Sequence, residues 1–326
     1  MNSRRDLIVS AVGLGFSWSH PVLRRAAPAV RIQPEPAPSA PGKGPVPALG
    51  PAGVVHDGRD LGPFGIDPAV RYPNVRSHRR KFGVLLPATN TTVEHELWRL
   101  ILDNRAALDG VGLHATPVST PRPVLRTEAD LDAYRRQFVG GLGAAIDQAL
   151  LAEPDAFILA MSMEHILYGL EPIRATLASA ASRTKLAWAT WHDAASAALR
   201  AVGAQRIGLL TPFDRQGNKN ARRLFEDLGF EVVSSVGFAC ANAQHIAHVP
   251  DAAKERAVLE LLATKENRLD AVVQCGTNMS FVDVAERLEP RLGLPLLSIN
   301  AVTFWHALRQ GGITAPLVGG GRLLRE

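Results

Sequence analysis

Cysteine is scarce: Cys240 and Cys275 are the only two in 326 residues. Two cysteines in a chain this long do not make a disulfide framework. There is no CxxC pair and no Cys/His cluster with the spacing of a zinc site. His245 and His248 stand three apart without a third ligand beside them, so no metal is expected. No apolar run reaches the roughly 18 residues that a membrane-spanning helix needs, so no membrane span is expected either. No GxGxxG follows any strand-like run, which argues against a nicotinamide-dependent oxidoreductase. An excess of positive charge is also missing from most of the chain. Of 36 Lys/Arg and 31 Asp/Glu, eleven and five lie in residues 1–80, leaving 25 and 26 for residues 81–326. The net charge of +5 therefore belongs to the leader, and the near-neutral remainder gives no electrostatic footprint for nucleic acid.

What is present falls into three parts. Residues 1–29 read as an export signal: Arg4-Arg5, a short apolar stretch from Leu7 to Trp18, then Ala27-Pro28-Ala29 at small-residue cleavage spacing. The paired arginines resemble a twin-arginine signal. The expectation is a periplasmic protein, with a disordered N-terminus on a cytoplasmic protein as the alternative. Residues 30–78 read as a semi-extended linker, because residues 28–73 hold eleven of the 23 prolines. The folded domain is expected over 79–326.

In that domain, short apolar, β-branched runs alternate with longer amphipathic segments. Strands are predicted at 82–86, 113–118, 156–160, 186–190, 206–210, 231–236, 271–274 and 296–299, with helices such as 131–151 and 193–202 between them. Such alternation implies an α/β fold with parallel sheets covered on both faces. There is an internal repeat. Lys81-Phe82-Gly83-Val84-Leu85-Leu86-Pro87 echoes Arg206-Ile207-Gly208-Leu209-Leu210-Thr211-Pro212, an offset of 125. Asp155-Ala156-Phe157-Ile158 echoes Asp270-Ala271-Val272-Val273, an offset of 115. Two similar lobes with different loop lengths follow, and a small ligand belongs in the cleft between them at the strand C-termini.

Four strand ends carry polar chemistry. Thr89, Asn90 and Thr91 open a helical segment, where they serve as caps or as carboxylate donors. Ser162 follows the strand at 156–160, and Glu164 and His165 after it read as first-turn capping residues more than as acid/base groups. Thr211 and Phe213 follow a third strand, and Cys275-Gly276-Thr277-Asn278 a fourth. Cys275 sits where a strand ends and a helix is expected to begin, a setting that lowers a thiol pKa and cradles an anion. Read as ordinary residues, Cys275 is a small buried apolar side chain; Cys240, without that setting, fits the plain reading better.

Taken together, these loops resemble the aspartate/glutamate racemase superfamily, in particular its arylmalonate decarboxylase and maleate cis–trans isomerase branch. The likeness of Pro87–Thr92 with Glu94 is to the isomerases. That of Cys275-Gly276, Glu286-Arg287-Leu288, Leu292–Pro295, Phe304-Trp305 and Gly321-Arg322-Leu323 is to the decarboxylase. The resemblance implies two pseudo-symmetric flavodoxin-like lobes around an active-site cleft. Lobe 1 is expected over about 79–187 plus 298–326, and lobe 2 over about 188–297. It implies cofactor-free chemistry on a small carboxylate or dicarboxylate, and it allows a homo-oligomer.

Racemases of this group use one cysteine per lobe, but here the repeat sets Ala160 against Cys275. The implied function is therefore a decarboxylase or isomerase in which a dioxyanion hole stabilises an enediolate and Cys275 alone supplies the proton. The binding residues implied are Thr89, Asn90, Thr91, Ser162, Thr211, Phe213, Gly276, Thr277 and Asn278. Met161, Met163, Phe213 and Met279 are read as an apolar wall or as plain core. A second departure is Phe213, where the family usually has a carboxylate-binding Tyr. Alternatives are a maleate isomerase-like enzyme, or an exported carboxylate-binding protein that has lost catalysis.

Overall fold

A computed structural model of the chain describes residues 53–62, 73–119 and 127–326. The signal-like segment 1–29 lies outside the described residues, as does most of the proline-rich stretch. The linker reading is corrected at one place. Val55–His56 (β1) and Arg59–Asp60 (β2) pair as an antiparallel hairpin. Asp57 and Gly58 between them both have positive φ, 47° and 73°, the pattern of a two-residue type I′ turn. Asp-Gly is a strong local hairpin signal that proline content alone does not cancel.

Two four-stranded sheets, parallel throughout, form the body. The first contains β3 (Arg80–Pro87), β4 (Val111–Val118), β5 (Ala156–Leu159) and β6 (Ala187–Thr190), in the order β4-β3-β5-β6. The second contains β7 (Arg206–Thr211), β8 (Glu231–Gly237), β9 (Ala271–Gln274) and β10 (Leu296–Ser298), in the matching order β8-β7-β9-β10. Helices α1 (Val93–Asp103), α2 (Glu128–Leu150), α3 (Met163–Tyr168), α4 (Leu170–Thr184) and α5 (Trp191–Ala201) accompany the first sheet. With the second come α6 (Arg215–Asp227), α7 (Asp251–Ala257) and α8 (Val282–Leu292), and after β10 follow α9 (Ile299–Gln310) and α10 (Arg322–Arg325). The predicted strand over 296–299 stops one residue early, because Ile299 already opens α9.

The repeat read from the sequence is a repeat of backbone bonds. Asp155 N–H donates to Lys81 C=O, and Asp155 Oδ2 accepts from Lys81 N–H. Asp270 does the same with Arg206. At the other strand end, Ala160 N–H donates to Leu85 C=O and Cys275 N–H to Leu210 C=O, both at 2.8 Å. Ala160 and Cys275 thus hold the same position in the two halves.

Burial follows the strand pattern. β5 and, apart from Gln274 at its end, β9 are apolar, and both are buried on both faces, as suits inner strands of a parallel sheet. One apolar cluster joins the halves: Phe82, Val84 and Ile158 of the first sheet, Ile207, Leu209 and Val273 of the second, and residues of α1, α5 and α9 between them. The outer faces have their own clusters, under α2 and α4 on one side and α8 on the other. α9 packs on α5, α1, β5 and β6, so the chain crosses back to the first sheet after β10. The last segment then touches both halves: Asn104, just after α1, bonds Val318, while Glu286 and Glu289 of α8 accept from Gly321 and Arg322 N–H.

Candidate active site

The C-terminal ends of β3, β5, β7 and β9 converge. Asn90, after β3, accepts from Thr92 and Val93 N–H at the head of α1 and donates through Nδ2 to Thr277 Oγ1 at 3.2 Å. Ser162, after β5, accepts from Thr277 N–H at 3.3 Å. Ser162 and Thr277 are themselves related by the offset of 115, so equivalent hydroxyl residues of the two halves meet. Asn278 closes the junction: its Oδ1 accepts from Thr91 N–H, and its Nδ2 donates to Thr89 and Ala243 C=O. Thr92 Oγ1 donates to Asn278 C=O at 2.9 Å. Thr89, Asn90, Thr91, Ser162, Thr277 and Asn278 therefore form one bonded seam, with Cys275 and Gly276 directly beside it.

Within the seam the side chains are not equally free to bind a ligand. Asn278 is consumed as a clamp between loops. Ser162 and Thr277 accept but keep their hydroxyl protons, and Asn90 keeps one amide proton. Gly276 has φ +140°, which favours glycine, and a Cβ there would lie 2.6 Å from Pro212 Cδ. That close contact brings the third loop against the fourth. Thr211 sits differently from the expectation of a substrate donor. Thr211 Oγ1 donates to Asn218 Oδ1 and accepts from Phe213 N–H, so its hydroxyl is engaged in shaping its own turn.

The expected apolar wall is also divided. Phe213 and Ala160 share the central apolar cluster with Cys275. Met161 and Met279 instead belong to the outer clusters of the two sheets, on the faces away from it. The side chains of Met163, Glu164 and His165 lie outside the described residues.

One expectation about Cys275 is overturned. No helix starts directly after it: residues 277–279 form a turn and α8 begins at Val282. The thiol is fully buried, and burial pushes its pKa well above the ordinary thiol value. A helix terminus that would lower the pKa is seven residues away, and nothing cationic offsets the desolvation. Cys275 is therefore a protonated thiol across the neutral range. Cys240 lies on the loop after β8, where its N–H donates to Pro212 C=O, and its partly buried thiol is also pushed up by desolvation. No group of His, Cys, Asp and Glu with the makings of a metal site occurs among the described residues. His245 and His248 lie side by side on a short 3-10 helix.

Comparison with known proteins places this geometry. The arylmalonate decarboxylase family profile matches residues 168–324. The maleate isomerase of Nocardia farcinica is 25% identical over 250 residues, covering 76% of this chain and 96% of that protein. These likenesses all point to one group, the arylmalonate decarboxylases and maleate isomerases, and support that branch of the aspartate/glutamate racemase superfamily. Solved structures agree on the fold. Maleate isomerase Iso from Pseudomonas putida S16 superposes with a TM-score of 0.67 at 19% identity, over 76% of this chain and 98% of that one. The TRIS-bound Nocardia farcinica maleate cis-trans isomerase gives 0.65 at 23%, over 76% and 98%. An arylmalonate decarboxylase gives 0.57 at 18%, over 75% and 98%. The two parallel sheets match the flavodoxin-like lobes of aspartate/glutamate racemase-like folds.

Three residues of the site escaped the sequence reading. Glu96, which is 3% exposed, accepts from Phe281 and Val282 N–H through Oε1 and from Asn300 Nδ2 through Oε2. Burial raises its pKa above the usual carboxylate value, while the bonds from Val282, Asn300 and Phe281 and the charge of Lys254 pull the other way. Asn300 also donates to Thr277 C=O. Lys254, fully buried, donates to Ser280 C=O and Oγ and pairs with Asp251. A signal for Glu96 existed. It falls on one helical face with Val93, Leu97 and Leu100, so an acid stands in an apolar stripe. Glu94, the acid noted with the first loop, points to solvent.

Proposed function

We propose that the protein is a cofactor-independent lyase or isomerase of a small carboxylate, and that its reaction is decarboxylation of a malonate-type dicarboxylate with Cys275 as sole proton donor. The observation that carries this reading is the asymmetry at equivalent positions: a buried, protonated thiol in one lobe and Ala160 in the other. In the reaction the bond from the α-carbon to one carboxylate breaks and carbon dioxide leaves. The electron pair stays on the α-carbon, delocalised into the remaining carboxylate as an enediolate. The Cys275 thiol then gives its proton to that carbon, and the thiolate is reprotonated from solvent.

The free hydroxyl protons of Ser162 and Thr277, the remaining amide proton of Asn90 and the backbone of Gly276 suit the charge that builds on the retained carboxylate. Donors of this kind contribute about 3–4 kcal/mol each where they are essential. Phe213, in the same cluster as Cys275, offers the apolar surface that favours loss of a carboxylate. Since Cys275, Asn90, Ser162 and Thr277 are all buried in the folded chain, substrate entry requires one of the loops to part.

Isomerisation of maleate is the second reading, favoured by the maleate isomerase relative at 25% identity. It calls for a nucleophilic thiolate, which burial of Cys275 opposes. The decisive experiment offers the purified protein a series of 2-substituted malonates and maleate in deuterium oxide. Decarboxylation with one deuterium placed at the α-carbon supports the proposal. Conversion of maleate to fumarate without carbon dioxide release replaces it with the isomerase reading. Saturable binding without turnover of any of them leaves a binding protein.

A further inference from the structure

The segment that carries Cys275 is held by two buried side chains of opposite charge, one from each lobe. Lys254 of α7 takes the carbonyl and hydroxyl of Ser280 at 2.6 and 2.8 Å. Glu96 of α1 takes the next two amides, Phe281 N–H at 2.8 Å and Val282 N–H at 3.0 Å. Its second oxygen holds Asn300 Nδ2 at 2.7 Å, and the same amide group donates to Thr277 C=O at 2.9 Å. Glu96 thus fixes both ends of the stretch 277–282, one directly and one through Asn300. An ion pair between Arg99 and Asp283 lies one helical turn further along the same contact.

The repeat shows that this arrangement is made once. The offset of 125 sets Glu96 against Ala221 on α6. The register of β5–β6 and β9–β10 sets Asn300 against His192. The other half has neither the carboxylate nor the amide, and its strand end carries Ala160 in place of the thiol. A charged anchor whose cost in desolvation is large is spent only on the loop next to Cys275.

We propose that Glu96 is the positioning residue of the Cys275 loop, acting across the lobe interface through Phe281, Val282 and Asn300 to hold the thiol and Gly276 in their reactive placement. The proposal rests on the reading of Cys275 as the reacting group, yet its consequences are visible without a substrate. Glu96 has three donors aimed at it, so both oxygens must accept. In Glu96→Gln, Oε1 still accepts from the two amides, but Nε2 faces the Asn300 Nδ2 donor. Turning Asn300 over relieves that clash only by pointing its oxygen at Thr277 C=O. One bond of the relay is lost either way.

The test uses the full chain and three readouts: hydrogen exchange, the rate of Cys275 alkylation by iodoacetamide followed peptide by peptide, and kcat against KM on whichever substrate the wild type turns over. Glu96→Gln is expected to keep its circular dichroism and Cys240 alkylation rate. Exchange in 276–282 and alkylation of Cys275 should rise on the order of tenfold, the effect of losing one hydrogen bond to a charged group. kcat should fall by a similar factor with KM little changed. Asn300→Ala separates the two arms: exchange should rise at 276–278 while Phe281 and Val282 stay protected. Wild-type exchange and wild-type Cys275 alkylation in both variants overturn the proposal. Loosening of the loop in a protein with no turnover would instead leave the positioning role standing and remove the decarboxylase reading. If Glu96→Gln does not fold, Asn300→Ala alone decides, by the same two substrate-free readouts.

Discussion

The two strand ends at Ala160 and Cys275 are built alike and furnished differently. Both follow an inner strand, both donate their amide to the carbonyl of the neighbouring strand, and each precedes by two residues a hydroxyl-bearing residue, the two being joined by the bond from Thr277 N–H to Ser162 Oγ. The first lobe continues with Met161, packed into an outer core. The second continues with Gly276 at φ +140°, pressed against Pro212 and followed by a clamped loop. A shared backbone frame therefore carries a methyl group at one end and a thiol at the other. The comparison teaches that the fold supplies the opposing positions, and side-chain choice decides whether the site works from one face or two.

The largest expected effect comes from removing the reactive end. Cys275→Ser should lower turnover by about 10²-fold or more, as loss of a general acid does, with an unchanged circular dichroism spectrum. A variant as active as wild type would make the two ends equivalent after all. Next comes the attempt to furnish the silent end. Ala160→Cys should place a thiol on the opposite face of the cleft, so that a product formed in one configuration becomes a mixture of both, read by chiral chromatography. Retention of a single configuration would show that Ala160 does not face the reacting carbon.

Gly276→Ala tests the backbone on which the reactive end depends. The added Cβ meets Pro212 Cδ at 2.6 Å in a conformation that L residues avoid. The expected cost is about 1–3 kcal/mol of stability, measured by urea unfolding, together with a loss of activity. The same change has no counterpart in the first lobe, where Met161 already carries a side chain.

The difference between the lobes also shows how far a sequence can be read. Both sheets, their parallel sense and the pairing of Ala160 with Cys275 follow from two short echoed strings, because buried inner strands need apolar residues at every position and Asp155 and Asp270 cap the same backbone turn. The convergence of Asn90, Ser162 and Thr277 follows once the strand ends are recognised. The thiol environment does not. Whether Cys275 meets a helix terminus or a desolvated core depends on where α8 starts, and the turn at 277–279 delays that start to Val282. Glu96 and Lys254 were hidden for a related reason: a charged residue in a helical pattern reads as solvent-facing until its partners are in place, and those of Glu96 lie nearly two hundred residues away.

The smallest expected effects concern pH and the second thiol. The native pKa of Cys275 is raised above that of the unfolded chain, so the folded state holds the proton more tightly. Its contribution to stability is fully present below the unfolded thiol value of about 8.5 and declines as pH rises beyond it. Wild type should therefore lose stability between neutral and alkaline pH more steeply than Cys275→Ala, in paired urea titrations. Iodoacetamide should in turn modify Cys275 more slowly than a free thiol across the neutral range, since little thiolate forms there. Cys240, outside the seam and less buried, is expected to be modified first, and Cys240→Ser should leave turnover unchanged. Faster modification of Cys275 than of Cys240 would reveal a thiolate at the reactive end. That result would turn the asymmetry between the lobes from a single proton donor toward a nucleophile, and the chemistry from decarboxylation toward isomerisation.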